Sequence, residues 1–213
     1  MDIVNPAIVE YLVSLTPPRH PVLQEMEEYA REKQFPIIGP LVSRFLQQLV
    51  ILTGATRVFE MGSGFGYSAL WMSLVLPDGG QIHCTEFDPE NIERGRKYHK
   101  TAGVANKIIW HQGDARESMR EAKGEFDIIL NDIDKEQYPQ ALAIAWPKLR
   151  RGGIMVTDNS LWSGAVITEE TPRESTAGVL AVNRDTYGLS DAITTILPLR
   201  DGLLLAVKKK NLT

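Results

Sequence analysis

Apolar side chains recur along this chain in two rhythms, and the change between them divides it. Up to about residue 55 the rhythm is helical. Ile8, Val9, Leu12 and Val13 fall on one face of a helix that Pro17-Pro18 ends, and Leu41, Val42, Phe45, Leu46, Leu49 and Val50 repeat the same spacing. Between them lies Phe35-Pro36-Ile37-Ile38-Gly39-Pro40, a stiff apolar connector. From Arg57 onward, short apolar runs alternate with longer segments of helical character. The runs predict strands over Arg57–Met61, Gln81–Glu86, Lys107–His111, Phe126–Asn131 and Ile154–Thr157. Helices are expected over Ser68–Leu76, from Pro89 to about Ala102, and over Pro139–Leu149, the last stopped by Arg151-Gly152-Gly153. Ala192–Leu197 and Leu203–Val207, on either side of Arg200-Asp201-Gly202, predict a closing antiparallel hairpin.

Strands that alternate with helices build a parallel sheet covered on both faces. Ligands of such sheets bind at the carboxyl ends of the strands. A length of 213 residues suits one such α/β domain and is short for two. We expect a single domain over 1–213, with a helical cap over 1–55 and a core over 56–213. The composition, 43% hydrophobic and 23% charged, is ordinary for a globular chain. A net charge of -4 leaves no basic footprint for nucleic acid. Cys84 is the only cysteine, which excludes an intramolecular disulfide and a cysteine metal site. The start of the chain lacks the regions of a signal peptide, and no apolar stretch approaches the roughly 20 residues of a membrane helix. A cytoplasmic protein with neither nucleic-acid nor membrane partners is the expectation.

The candidate chemistry lies at the ends of the expected strands. Glu60-Met61-Gly62-Ser63-Gly64-Phe65-Gly66-Tyr67-Ser68 follows the first strand and opens a helix, and its glycines allow a tight turn with close ligand approach. Glu86 ends the second strand, where an acid in this architecture accepts hydrogen bonds from ribose hydroxyls. Such a turn also occurs as plain punctuation between strand and helix. The spacing is Gly-x-Gly-x-Gly, not that of dinucleotide sites, and Glu60 would repel a pyrophosphate. It suits the ammonium of an amino-acid moiety, with Ser68 and free backbone N–H groups near the carboxylate. Asp114 and Ala115, after the third strand, lie where an adenine would reach. This pattern favours S-adenosylmethionine over NAD, leaving an NAD-dependent dehydrogenase as the rival enzyme.

Asp132, Asp134 and Lys135 follow the fourth strand; Asp158 and Asn159 follow the fifth. Asp132, Asp158 and Asn159 form an all-oxygen set suited to Mg²⁺, Mn²⁺ or Ca²⁺. The alternative is helix capping, which Asp and Asn also do after strands. Lys135 is either a solvated charge or, near a bound phenol, the group that takes its proton. His20, His83, His99 and His111 show no ligand spacing. Trp71, Trp110 and Trp146 fit core positions, while Trp162 suits the wall of an aromatic pocket.

Four segments in this order resemble the small cation-dependent O-methyltransferases, the family of catechol and caffeoyl-coenzyme A O-methyltransferases. They are Val58–Ser68, Asp132–Tyr138, Asp158–Gly164 and Leu197–Leu203, within a likeness that runs from about Gln34 to Lys208. The resemblance implies a Rossmann-like S-adenosylmethionine-dependent fold, with a mostly parallel seven-stranded sheet, a C-terminal antiparallel hairpin and helices on both faces. It implies that Asp132, Asp158 and Asn159 hold the cation and that Lys135 is the catalytic base, with Asp132 beside it. It assigns Ile38, Glu60, Gly62, Ser63, Gly64, Ser68, Glu86, Asp114, Ala115, Asp132 and Asp134 to the cofactor side. The implied acceptor is a small catechol-like aromatic, attacked at one hydroxyl, and a homodimer is implied as well. A non-catalytic S-adenosylmethionine-binding protein is the rival from another class. Asn131 stands where the family usually has an aliphatic residue, and Leu189-Ser190-Asp191 replaces a frequent Asp-Pro-Arg segment. These departures touch the acceptor, not the cofactor.

Overall fold

The computed structural model describes residues 1–210. Three helices come first, α1 (Pro6–Ser14), α2 (Pro21–Lys33) and α3 (Gly39–Thr53). The alternating part follows as β1 (Arg57–Met61), α4 (Tyr67–Ser73), β2 (Gln81–Glu86), α5 (Pro89–Thr101), β3 (Ile108–Gln112) and α6 (Ala115–Glu121). It continues through β4 (Phe126–Asn131), α7 (Tyr138–Ala145), β5 (Leu149–Thr157), α8 (Ala165–Thr168) and α9 (Glu174–Tyr187), and closes with β6 (Ala192–Leu197) and β7 (Leu203–Lys208).

The strands form one seven-stranded sheet in the order β3-β2-β1-β4-β5-β7-β6. Strands β1 to β5 run parallel, and β7 lies antiparallel between β5 and β6. The Rossmann-like architecture and the hairpin match the expectation. The order reverses between β1 and β4, so the loops after these two strands diverge to opposite sides and leave a crevice at the carboxyl edge.

Consecutive strand residues face opposite layers, and both layers are apolar. Val58, Ile82, Cys84, Ile128, Leu130 and Val156 pack with the side chains of α2, α3 and α4. Phe59, Met61, Ile129, Met155 and Ala206 pack with α6, α7 and α9 on the other face. Burial on both sides is why these strands read as unbroken apolar runs and not as alternating ones.

Three departures from the sequence reading have local causes. Helix α7 ends at Ala145, because Pro147 has no N–H to bond the carbonyl of Ala143, and a 3₁₀ turn spans Trp146–Lys148. Strand β5 therefore begins at Leu149 and runs through Gly152 and Gly153, with a register shift against β4 between Phe126 and Ile128. Helices α6, α8 and α9 were not foreseen; the first two are short, and in α9 the apolar positions are interrupted by polar ones. The apolar face read for Ile8, Val9, Leu12 and Val13 exists, but α1 buries none of its residues: Tyr11 is 59% and Leu15 60% exposed.

The histidines serve the scaffold. His20 caps α2 through Nδ1, which accepts from the N–H of Val22 at 3.3 Å. His83 and His111 hydrogen-bond each other at 2.9 Å and stack beneath Phe59. His99, on α5, stacks on Trp110, and its Nε2–H donates to the carbonyl of Gly66 at 3.0 Å. Gly66 opens α4 at φ +77°, and a side chain there would strike the His99 ring at 2.6 Å.

Burial holds His99 neutral, with its pKa lowered to about 4. A folded-state pKa below the free value means the unfolded chain binds the proton better. The stability His99 contributes is present above about pH 6.5 and is lost as pH falls toward 4. Urea unfolding of wild type and of His99→Gln, which keeps a donor but cannot titrate, should therefore diverge in acid. Between pH 7.5 and pH 5 wild type is expected to lose about 2 kcal/mol more than the variant. Parallel pH curves would contradict a neutral, buried His99.

Candidate active site

The glycine turn after β1 is stapled to β2 by Thr85. The Thr85 hydroxyl donates to the carbonyl of Glu60 at 2.9 Å and accepts from the N–H of Gly62 at 3.0 Å. Ser63 completes the clasp, its N–H donating to the Thr85 carbonyl at 2.8 Å and its Oγ accepting from the Thr85 N–H at 3.1 Å. Sequence reasoning missed Thr85, since a threonine inside a strand is ordinary. Gly62 sits at φ +83°, and any Cβ there would lie 2.5 Å from the carbonyl oxygen of Asp132. The turn after β1 and the loop after β4 thus touch backbone to backbone.

Glu60 lies fully buried under this turn. Ser68 Oγ–H donates to its Oε1, while Oε2 meets no donor among the described residues. Burial lifts its pKa to about 7, against the pull of the Ser68 and Ser63 hydrogen bonds. A buried carboxylate oxygen without a partner is costly unless a cationic or N–H-bearing ligand reaches it. An ammonium would satisfy that oxygen and draw the pKa back down.

A cleft of about 490 Å³ opens over the turn and gathers the predicted residues. Ile38, Gly62, Ser63, Gly64, Ser68, Glu86, Ala115, Asp132, Asp134, Lys135, Asp158 and Asn159 all line it. Glu60 does not line it, being beneath the floor. Asp114 does not either, because its carboxylate caps α6 at the N–H of Arg116 (2.7 Å) and is gripped by that arginine's guanidinium. The Arg116 fork holds the Asp114 pKa down at about 2. Its neighbours Gly113 and Ala115 do face the cleft.

At the other end of the cleft the ends of β4 and β5 converge. The N–H of Asp158 donates to the carbonyl of Asn131 at 3.1 Å, which holds Asp158 next to Asp132. Asp158 is 1% exposed and its Oδ1 has no donor among the described residues. Burial, then repulsion from Asp132, pushes its pKa up to about 7. Asn159 adopts φ +54°, a conformation asparagine tolerates, and its Nδ2 donates to Asp201 Oδ2 at 3.3 Å. That bond consumes the amide's donor side and leaves its oxygen for a cation. Among the described residues no group of three or more His, Cys, Asp or Glu side chains is arranged to hold a metal. The set here is two carboxylates and one amide oxygen, all hard donors, and the orphaned Asp158 oxygen fits an absent cation.

Lys135 lies between these groups, and its Nζ donates to Asp132 Oδ1 at 3.0 Å and to the Ile133 carbonyl at 3.2 Å. The rings of Tyr138 and Trp162 flank it, at 5.0 Å and 5.7 Å from Nζ. Tyr138 is fixed from below, its hydroxyl donating to the carbonyl of Asp158 at 3.0 Å. Helix α9 presses on the backbone of Lys135 through Gly178, where a Cβ would come within 2.1 Å of the Lys135 carbonyl oxygen. The loop carrying Trp162 is held by the β6–β7 turn. Leu161 N–H donates to the carbonyl of Asp201 at 2.9 Å and Ser160 N–H to that of Gly202 at 3.0 Å. Asn131, whose amide is buried with neither atom hydrogen-bonded among the described residues, is not explained by anything in the structure.

The arrangement can hold an amino-acid-bearing nucleoside at one end and a cation-anchored hydroxyl at the other, with a lysine between. Comparison with known proteins identifies the family. The sequence model of a family described as O-methyltransferase matches residues 13–209. The catechol O-methyltransferase of Niastella koreensis is 30% identical over 182 residues, 81% of this chain and 82% of that protein. A caffeoyl-CoA O-methyltransferase of Populus kitakamiensis is 33% identical over 168 residues, 75% of this chain and 72% of that one. The crystal structure of the O-methyltransferase TomG from Streptomyces achromogenes, in complex with SAM, is 26% identical and superposes with a TM-score of 0.87 over 96% of each chain. The chain belongs to the O-methyltransferase family, of the catechol and caffeoyl-coenzyme A type, and is an O-methyltransferase.

Proposed function

We propose that this enzyme transfers a methyl group from S-adenosylmethionine to one hydroxyl of a small catechol-like acceptor, with a divalent cation as anchor. The observation that carries the reading is a pair of orphaned oxygens, one on Glu60 beneath the floor of the cleft and one on Asp158 in its wall, with Lys135 lining the same cleft. When bound, S-adenosylmethionine supplies an electrophilic methyl group and the cation a charge that makes an adjacent hydroxyl more acidic.

Each residue then has a defined task. Glu60 accepts the ammonium of the methionine moiety, and Ser68 faces its carboxylate. Glu86 takes the ribose hydroxyls, while Ile38, Gly62, Ser63, Gly64, Ala115, Asp132 and Asp134 shape the remaining contacts. Asp114 contributes through the backbone it caps. Asp132, Asp158 and the Asn159 oxygen hold the cation. Lys135 takes the hydroxyl proton at Nζ as the neutral amine, and Asp132 accepts a hydrogen bond from the ammonium that results. Tyr138 and Trp162 narrow the space around Nζ and restrict water. No covalent enzyme intermediate is required, so positioning supplies much of the rate. The Glu60 charge beneath the turn also weighs against a pyrophosphate, and so against a nicotinamide dinucleotide.

The exposed apolar face of α1 supports a homodimer as the working form. Light scattering at micromolar concentration should give twice the chain mass of 23.8 kDa, and Leu15→Glu should lower it toward the monomer. A wild-type monomer at all concentrations would refute the dimer.

Two measurements test the chemistry. In excess chelator, turnover of catechol should fall to background and return with Mg²⁺ or Mn²⁺, whereas cofactor binding by calorimetry should persist. Asp158→Ala should stay folded and respond to no added cation; full activity in chelator would sink the cation role. Lys135→Ala should lower kcat at pH 7 by roughly 10²–10⁴-fold, the range for a lost general base. Raising the pH should restore part of it, because free phenolate no longer needs the lysine. A wild-type kcat across the pH range would leave Lys135 no part in proton removal.

A further inference from the structure

Beyond the candidate cation site the cleft does not end. A second cavity of about 480 Å³ adjoins it, and Asn159 and Arg200 line both. Arg200 is the cation at this junction. It occupies the β6–β7 turn at φ +54°, in the left-handed region that an L-residue enters only at a cost of roughly 1–2 kcal/mol and glycine enters freely. The turn geometry alone is served better by glycine, so what an arginine adds at this position is its side chain.

Among the described residues that side chain is held by one long ion pair alone: its guanidinium donates no hydrogen bond within normal distance, and its nearest carboxylate oxygen is Asp158 Oδ2 at 3.9 Å. It remains 43% exposed, at the mouth between the two cavities. Its backbone is not free to drift, because the next two residues are tied to the loop after β5. Asp201 binds the N–H of Ser163 and the amide of Asn159, and Gly202 packs against Leu161. A fixed base with an unsatisfied planar fork is a receptor for a carboxylate, which guanidinium binds through two parallel hydrogen bonds. The second cavity sets a limit on how far an anion can go: Asp2, Glu10 and Asp201 line it and repel one that passes Arg200.

We propose that Arg200 is a specificity-determining residue and that the preferred acceptors are catechols bearing a carboxylate on the ring or on a short arm. This rests on the methyl-transfer reading above and deepens it. The anion is met at the rim and does not enter the second cavity. A neutral catechol leaves the guanidinium to solvent, and a catechol with an ammonium arm meets repulsion at the junction.

The test compares 3,4-dihydroxybenzoate with catechol, in wild type and in Arg200→Gln, by two readouts. Calorimetry with S-adenosylhomocysteine and Mg²⁺ present reads acceptor binding without turnover, and initial rates with S-adenosylmethionine read kcat/KM. Wild type should favour the carboxylated acceptor by tenfold or more in both. Arg200→Gln should remove at least tenfold of that preference, the loss falling in KM, as expected for one charged hydrogen-bonded pair. Arg200→Glu should reverse the order between 3,4-dihydroxybenzoate and dopamine. Equal losses on both acceptors in Arg200→Gln, or no preference in wild type, would overturn the inference. Carboxylate-selective binding without methylation of any acceptor would uphold the role of Arg200 and instead defeat the methyl-transfer reading.

Discussion

Negative charge that the chain itself does not neutralise governs this molecule. Glu60 and Asp158 are buried at the carboxyl edge of the sheet, each with one oxygen that no donor among the described residues reaches, and burial lifts the pKa of both to about 7. Around the cleft, Glu86, Asp132, Asp134 and Asp158 outnumber Lys135 and Arg200. The interior of such a site is complementary to cations, and the cofactor and metal proposed for it are of that kind: an ammonium with its sulfonium, and a divalent ion; the anion of the proposed acceptor stays at the rim, by Arg200. Neighbouring groups within the chain make the charges tolerable. Ser68 shields one oxygen of Glu60, Lys135 pairs with Asp132, and Arg200 stands near Asp158.

The topology explains why the charges meet. The reversal of strand order between β1 and β4 opens the crevice, and the contact of Gly62 with the Asp132 backbone fixes its two sides at one distance. Inserting β7 antiparallel beside β5 has a second effect. It carries the β6–β7 turn to the end of β5, where Asp201 can orient Asn159 and Gly202 can brace the loop of Trp162. The hairpin therefore completes the acceptor side of the site as well as the sheet.

Much of this was legible in the sequence because the signals were strong and local. Strands buried on both faces leave unbroken apolar runs, and polar residues placed just after such runs fall at one edge of a parallel sheet. The rest depended on contacts that no spacing encodes. Thr85 and Asp201 act through hydrogen bonds across the sheet edge, Asp114 is taken by an arginine two residues away, and Pro147 shortens a helix whose apolar pattern runs on. Helix α9 was invisible because three of its five buried positions, Thr176, Gly178 and Thr186 beside Val179 and Val182, are polar or small. The apolar face of α1 was legible, but that none of its residues would be fully buried was not.

At Gly178 packing outweighs helix propensity. A glycine inside a helix costs about 1 kcal/mol relative to alanine, so a search for stabilising substitutions would choose this position early. Yet the missing methyl is what lets α9 lie directly on the carbonyl of Lys135. Adding it would force α9 and the Lys135 backbone apart, losing more in packing than the helix gains and moving the proposed base. A more heat-resistant form of this enzyme would need its gains elsewhere, since here the weaker helix former keeps Lys135 in place.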